Sequence, residues 1–280
     1  MIQMISHNKK MRKTKKKIIC IIQARVNSTR LPGKILLYGF NKPLIIHLIE
    51  RIKKSKFISN IIIATTNNKF DKIIPTICKQ NKIDCFKGNE QDVLSRYFYC
   101  AKKFNGQIIV RITSDCPLMD VNIVDKAINS FINSNVDYVS NIHPPSEPDG
   151  FDVEVFSFEA LRKSFYHAKK NYEREHVTPY MWDNPKIFKL KNFSYLSRKK
   201  KYHNRIRLTL DYIEDYCLIY QIYQSLYKKN RFFNIRDVLR LLDKKKELSK
   251  INRKYIKVNW YRHHLKKLKT IKNSATSTNI

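Results

Sequence analysis

Short runs of β-branched residues alternate along the chain with longer segments whose apolar residues recur at helical spacing. Strands are predicted over residues 18–23, 60–66, 83–86, 107–112 and 136–140. Helices are predicted between them, over residues 43–54, 70–80, 91–104 and 121–134. Their apolar residues are three or four positions apart, as on one face of a helix. This order predicts an α/β fold with a mostly parallel central sheet covered on both faces.

The pattern changes after residue 141. Residues 143–150 contain three prolines and are predicted to form a loop. Two further strands are predicted over residues 152–156 and 206–210. Helices are predicted over residues 158–170, 174–182, 214–227 and 236–243. The second half is therefore expected to add both strands and helices to the first.

Length, cysteines and hydropathy narrow the class of protein. The 280 residues suit one large α/β domain, with or without a small addition. The six cysteines form no C-x-x-C pair and have no zinc-site spacing to histidines, which indicates reduced thiols. No stretch reaches the roughly 20 apolar residues of a membrane span. The apolar run 18–22 is too short for a signal peptide. We therefore expect a cytoplasmic protein.

The net charge of +33 would by itself favour a polyanionic partner. Its excess is mainly lysine spread from end to end, without a compact arginine-rich stripe containing aromatic residues. Nucleic-acid binding is therefore the less favoured interpretation. A basic surface also attracts a nucleoside triphosphate.

The strongest candidate for chemistry is the loop QARVNSTRLPGK, residues 23–34, directly after the first predicted strand. Open α/β sheets bind ligands at the carboxyl ends of their strands. Arg25, Arg30 and Lys34 would repel one another without an anion between them, whereas a triphosphate suits all three. Ser28 and Thr29 add hydroxyl donors. The loop matches neither the P-loop nor the G-x-G-x-x-G pattern, so it predicts a different kind of triphosphate site.

The A-R-x-x-S-x-R-L-P-x-K pattern of this loop resembles the signature of the cytidylyltransferase family, which includes CMP-Kdo synthetase and acylneuraminate cytidylyltransferase. Other stretches resemble its spore-coat polysaccharide biosynthesis protein F branch: 63–66, 88–94, 111–118, 149–156, 173–180 and 208–211. The resemblance implies a Rossmann-like, three-layer (GT-A-like) nucleotidyltransferase fold and a homodimer. It also implies transfer of CMP from CTP to a sugar, with release of pyrophosphate, for surface glycan synthesis.

Two aspartates are expected to bind Mg²⁺, the predicted cofactor. Asp115 follows the strand over 107–112, where a carboxylate can share the metal with phosphate oxygens. It resembles the aspartate of the family's metal loop, with Ser114 in place of a glycine. Asp211 resembles the second metal carboxylate, although either aspartate could instead cap a helix. Arg25, Arg30, Lys34 and Asp115 are therefore the predicted catalytic residues.

A segment that begins at Gly88 resembles the part of the family fold that contacts the base and ribose. Glycine allows the backbone to approach a ligand closely. An alternative is that Asp92 and Arg96 form an ion pair one helical turn apart. The complete predicted nucleotide-binding set is Ala24, Arg25, Ser28, Thr29, Arg30, Lys34, Gly88, Asp92 and Arg96.

The sugar is expected to contact Asp149, Asp152, Arg174, His176 and Tyr180. Arg174 and His176 would suit an acidic sugar. The alternatives are a buried structural histidine at 176 and a solvated helix start over residues 173–175. The predicted partners are therefore CTP and a sugar.

Three other functions compete with this interpretation. A glycosyltransferase that uses a nucleotide sugar commonly carries a D-x-D motif, whereas only Asp115 is present here. A hexose-1-phosphate nucleotidyltransferase typically begins with a G-x-G-T-R loop, which is missing. The third is a basic nucleic-acid-binding protein.

The predicted organisation has four parts. They are a basic N-terminal extension (1–17), a nucleotidyltransferase domain (18–228), a C-terminal helical appendage (229–270) and a disordered tail (271–280).

Overall fold

A seven-stranded sheet forms the centre of the computed structural model, which describes residues 16–197, 201–271 and 273–277. The strands are β1 (Ile18–Gln23), β2 (Asn60–Thr66), β3 (Asp84–Gly88), β4 (Ile108–Thr113), β5 (Tyr138–Ser140), β6 (Glu154–Ser157) and β7 (Leu190–Asn192). Their order is β3-β2-β1-β4-β6-β5-β7. All neighbours run parallel except β6, which is antiparallel to β4 and β5. The predicted mostly parallel sheet is confirmed.

Helices cover both faces of the sheet. They are α1 (Leu44–Ile52), α2 (Ile73–Gln80), α3 (Val93–Lys103), α4 (Val121–Ile132), α5 (Phe158–His167), α6 (Asn171–His176), α7 (Pro179–Trp182), α8 (Ile213–Leu226) and α9 (Ile235–Lys244). Along β1, Cys20 and Ile22 belong to one buried cluster, and Ile19 and Ile21 to another. This alternation follows from the two-residue period of a strand and gives the three-layer arrangement.

The predicted strand over residues 206–210 is wrong. A single bridge joins Arg207 to Asp149, without a longer ladder. The amide of Leu208 donates to the carbonyl of Asp149 at 2.7 Å, and that of Leu210 to the carbonyl of Asp115 at 2.9 Å. The segment therefore connects two loops next to the sheet.

One predicted helix, over residues 174–182, is divided into α6 and α7. Val177 has a φ of 74° between them, outside the helical region, and Pro179 begins the next helix. The short strand β7 was not predicted, because none of its three residues is buried and their apolar alternation is weak. The first residues of the predicted helix over 70–80 belong to a 3-10 turn, Lys69–Lys72, and helix α2 follows this turn.

The C-terminal part shares the core of the sheet. Phe233, Ile235 and Val238 are buried in the same cluster as β1 and β4, so the predicted appendage packs directly against the main domain. The described part of the expected disordered tail is also in contact, since Thr276 is buried and its hydroxyl donates to the carbonyl of Lys257. The extension over 1–17 lies almost wholly outside the described residues. The proposed domain boundaries remain predictions.

The described residues contain no helix long and apolar enough to cross a membrane. Four cysteines are buried, Cys85 is half-buried and Cys217 is exposed, and all six are free thiols.

Candidate active site

A cleft of ≈ 1480 Å³ opens at the carboxyl ends of β1 and β4. It is larger than the roughly 300–1,000 Å³ typical of a single-ligand pocket, so it has room for two substrates. Its walls come from the loop after β1, the start of α3, the loop after β4, and residues 142–152, 203–211 and 257–264. The predicted residues that line it are Ala24, Arg25, Ser28, Thr29, Arg30, Lys34, Asp92, Arg96, Asp115, Asp149, Asp152, Arg174, His176 and Asp211.

The loop after β1 is held in shape by hydrogen bonds of its backbone amides. The amide of Val26 donates to Asp71 Oδ1 at 2.6 Å, and the amide of Gly33 donates back to the carbonyl of Val26 at 2.9 Å. Gly33 has a φ of 70°, in the left-handed region that glycine adopts without strain. A 3-10 turn, Lys34–Leu36, follows at once. The turn at Gly33 thus sets the position of Lys34 in the cleft wall.

Lys34 is buried at the centre of the site. Its Nζ donates to Asp211 Oδ1 at 2.8 Å and to the carbonyl of Leu210 at 2.7 Å, and it lies 3.4 Å from Asp115 Oδ2. Burial opposes the charged ammonium, but Asp115 and Asp211 outweigh it and raise the pKa of Lys34. The cation of the loop is therefore held between two carboxylates from distant parts of the chain.

Asp211 is surrounded by cations. Besides Lys34, its Oδ1 accepts from Arg30 Nη2 at 2.5 Å, and its Oδ2 accepts from Arg207 Nη2 at 3.0 Å. Burial acts to raise the pKa of Asp211, yet these three cations hold it well below its ordinary value. The carboxylate is therefore charged at neutral pH.

Arg207, which the sequence analysis missed, organises the carboxylates. It is 1 % exposed and donates to Asp149 Oδ2 at 2.9 Å, to Asp211 Oδ2 at 3.0 Å and to Asp215 Oδ1 at 3.1 Å. Asp215 in turn accepts from the amides of Asp211 and Tyr212, each at 3.0 Å. One guanidinium thus sets the positions of three carboxylates. In the sequence, the local signal for Arg207 was its position as a charged residue on a mainly apolar predicted strand.

Two further cleft carboxylates have raised pKa values. Desolvation raises the pKa of Asp149 to about 6, although Arg207 opposes the rise. Desolvation, followed by the nearby charges of Asp149 and Asp115, raises the pKa of Asp152 well above its ordinary value. Both groups line the cleft, and a carboxyl group that keeps its proton can donate a hydrogen bond to a polar ligand as well as accept one.

The residues that were predicted to contact the base do not all lie in the cleft. Asp92 caps α3 by accepting from the amide of Ser95 at 2.9 Å, and it pairs with Arg174. Arg96 donates to the carbonyl of Asn89 at 3.0 Å, so the alternative of an Asp92–Arg96 ion pair is wrong. Both side chains line the cleft. Gly88, which ends β3, is not among the described cleft-lining residues, and a Cβ there would lie 3.0 Å from Arg96 Cγ.

The predicted sugar contacts are only partly brought together. Arg174 donates to Asp92 and, at 2.7 Å, to the carbonyl of Phe165, so its guanidinium serves the packing of α3 against α5. His176 stacks on Trp260 with ring centroids 3.7 Å apart. Tyr180 packs against His167 and Phe188 and is not among the described cleft-lining residues.

Arg111 and Trp260 are further cleft residues that the sequence analysis did not select. Arg111, on β4, donates to Glu154 on β6 and, at 3.2 Å, to Gln23 Oε1 at the end of β1. In the sequence, the signal for Arg111 and Glu154 was that each is a charged residue on a mainly apolar strand.

Similarity to known proteins identifies the family of this chain. The profile of a family described as cytidylyltransferase matches residues 19–256. The chain belongs to the cytidylyltransferase family. As a cytidylyltransferase it is a nucleotidyltransferase enzyme, which confirms the predicted class over the glycosyltransferase and nucleic-acid-binding alternatives.

Individual relatives support the predicted branch of this cytidylyltransferase. The spore coat polysaccharide biosynthesis protein SpsF of Bacillus subtilis is 32% identical over 215 residues, covering 74% of this chain and 87% of the relative. An uncharacterised Methanocaldococcus jannaschii protein is 41% identical over 241 residues, covering 84% and 94% of the two chains. The 3-deoxy-manno-octulosonate cytidylyltransferase of Chloroherpeton thalassium is 30% identical over 119 residues, which is 42% of this chain and 47% of that one.

A solved structure supports the fold. The cytidylyltransferase of Leptospira borgpetersenii superposes with a TM-score of 0.77 at 33% identity, covering 84% of this chain and 97% of that one. The Rossmann-like nucleotidyltransferase fold predicted from the sequence is thereby confirmed for this cytidylyltransferase.

Proposed function

We propose that this enzyme transfers CMP from CTP to a sugar, releases pyrophosphate, and serves the synthesis of a surface glycan or polysaccharide. The observation that carries the proposal is the convergence of Arg30, Lys34, Asp115 and Asp211 in a cleft large enough for two substrates. Cations that face phosphate stabilise negative charge on a leaving group.

In the proposed reaction a sugar hydroxyl attacks the α-phosphorus of CTP. A new C–O–P bond forms, the bond between the α- and β-phosphates breaks, and pyrophosphate leaves with its electron pair. The hydroxyl proton passes to solvent or to a cleft carboxylate. Arg25, Arg30 and Lys34 would bind the phosphates, so that Lys34 exchanges its carboxylate partners for phosphate oxygens. Phosphoryl transfer depends mainly on such positioning and charge stabilisation.

Mg²⁺ is the proposed cofactor, with Asp115 and Asp211 as its protein ligands. The described residues contain no group of three or more His, Cys, Asp or Glu side chains that could hold a metal. Mg²⁺, however, commonly uses only one or two carboxylates together with substrate phosphates. The two carboxylates already have a cation, Lys34 Nζ, between them, so this donor set fits a cation. When bound, the metal would polarise the α-phosphate.

The two ligands differ in how readily they could accept the metal. Both oxygens of Asp211 are paired with Arg30, Lys34 and Arg207, whereas Asp115 has only the 3.4 Å contact to Lys34 among cationic side chains of the described residues. Asp115 is therefore the more accessible ligand.

Of the two residues that were expected to bind an acidic sugar, one has another partner and the other is uncharged. Arg174 is occupied by Asp92, and burial, followed by the charges of Arg111 and His264, lowers the pKa of His176 to about 3. A neutral His176 cannot pair with a sugar carboxylate as a cation. The remaining support is Lys257, a basic residue that lines the cleft, and the acid named in the octulosonate relatives.

The experiment is pyrophosphate release with CTP, UTP, ATP and GTP, each against a panel of acidic and neutral sugars. The proposal predicts release with CTP and at least one sugar, and little release without a sugar. No release with any sugar, although CTP stabilises the protein against heat, would reject transfer to a sugar. Homodimer formation, also proposed, is measured separately by light scattering.

A further inference from the structure

Residues 257–264, which we call the C-terminal wall, line the active-site cleft although the family match ends at residue 256. Of these eight residues, all except Arg262 face the cleft. Neither the predicted site nor the family match includes them. Apart from Lys257, they are therefore a part of the site with no assigned role.

The C-terminal wall is anchored near its start and again beyond its end. The carbonyl of Val258 accepts from Arg207 Nη1 at 2.9 Å, on the guanidinium that also binds Asp149 and Asp211. Farther along, Thr270 Oγ1 donates to Asp183 Oδ1 at 2.8 Å. The side chains of Val258 and Tyr261 are buried. This segment is therefore a fixed wall attached to the carboxylate network.

Trp260 presents a large aromatic surface in this wall. It is half-buried, lines the cleft and stacks on His176 at 3.7 Å with an angle of 16° between the rings. Because the pKa of His176 is lowered to about 3, mainly by burial, the stacked pair is uncharged at neutral pH. The pair therefore contributes flat, apolar surface to the cleft that Asp149 and Asp152 also line.

This combination is suited to a sugar ring. The C–H face of a ring-form sugar can stack on an aromatic plane, while its hydroxyls form hydrogen bonds with carboxyl groups. Arg30 and Lys34, which suit phosphate, pair with Asp211, whereas Trp260 stacks on His176 of α6. The cations suited to phosphate and the aromatic surface therefore have different partners in the cleft.

Building on the proposed function, we propose that the C-terminal wall forms one side of the acceptor-sugar subsite and that Trp260 stacks against the ring-form sugar. Trp260 then determines affinity for the sugar and leaves CTP binding unchanged. The carboxyl groups of Asp149 and Asp152, which line the same cleft, fix the orientation of the sugar hydroxyls.

The test compares Trp260→Leu, which keeps apolar bulk, with Trp260→Phe, which keeps a flat ring. The probe is the panel sugar that gives the fastest pyrophosphate release with the wild type. Loss of stacking should raise the KM for this sugar about tenfold in Trp260→Leu, while Trp260→Phe stays within about threefold. The KM for CTP should stay within about twofold in both. Lys266→Ala, just beyond the C-terminal wall and not among the cleft-lining residues, should match the wild type.

Two results would overturn the inference alone: an unchanged sugar KM in Trp260→Leu, or an equal rise in the KM values for sugar and CTP. The first would remove Trp260 from the subsite, and the second would indicate a general distortion of the site. A wild-type enzyme that releases no pyrophosphate with any sugar would reject the proposed function, and this inference with it.

Discussion

Lys34 Nζ lies 2.8 Å from Asp211 Oδ1, although the two residues are 177 positions apart in the chain. Both side chains are largely buried, and the same carboxylate also binds Arg30 and Arg207. A buried charge is tolerated only when it is paired and hydrogen-bonded. The pair therefore holds the loop after β1 against the segment that ends at Asp211, and it keeps Lys34 charged in the cleft.

Replacing Lys34 by alanine should lower pyrophosphate release by about 10²–10³-fold, since one preorganised donor to developing charge has about that effect. Release is measured with CTP and the best sugar of the panel. Lys42→Ala is the matched control, because Lys42 pairs with Glu50 outside the cleft. Turnover like that of the wild type in Lys34→Ala would contradict the assignment of Lys34.

Asp115→Asn should abolish the stabilisation that Mg²⁺ adds to CTP binding, because the amide keeps the shape of the side chain but loses its charge. A ligand at about 100 times its Kd stabilises a protein by about 2.7 kcal/mol. Melting temperatures are compared for CTP with Mg²⁺ and CTP with EDTA. Asp243→Asn, exposed on α9, serves as the control. An equal Mg²⁺-dependent shift in Asp115→Asn would remove Asp115 as a metal ligand.

Arg207→Ala should lower the free energy of unfolding by about 3–5 kcal/mol, because it leaves Asp149, Asp211 and Asp215 without their shared cation. Arg207→Lys should lose less, since it keeps the charge but not the planar fork. Urea unfolding measures both.

Arg162→Ala, which removes an exposed arginine, should give no measurable change in the same experiment. Equal stability of Arg207→Ala and the wild type would show that the carboxylates do not depend on Arg207.

His47 should make stability fall in mild acid. It is 2 % exposed, and burial, followed by the charge of Lys42, lowers its pKa to about 4. Below an unfolded pKa of about 6.5 the unfolded chain binds the proton more tightly, so this contribution is complete above that pH and is lost towards pH 4. The loss between pH 7 and pH 5 should be about 2 kcal/mol.

The measurement is urea unfolding at both pH values for the wild type, His47→Phe and His167→Gln. His47→Phe keeps an aromatic ring against Tyr223 and Tyr227 and should lack this part of the pH dependence. His167 is exposed, so His167→Gln should keep it. Identical pH dependence in all three proteins would contradict the role of His47.

The sequence by itself determined the α/β framework and the phosphate-binding loop. The apolar runs of β1 and β2 predicted both strands with their observed bounds, because strand and helix periodicity is a local property of the chain. The cations of the loop could also be recognised, since Arg30 and Lys34 belong to the loop that follows a buried strand. Local pattern and local structure agree there.

Only the tertiary structure decided the partners of the charged side chains. Arg174 was expected to contact a sugar, but it pairs with Asp92, 82 positions away. Residues 206–210 have a strand-like pattern, yet their amides bond to loops, and Arg207 collects three carboxylates. The physical reason is that a buried charge needs a close counter-charge, and which one lies within 3 Å depends on how distant segments pack.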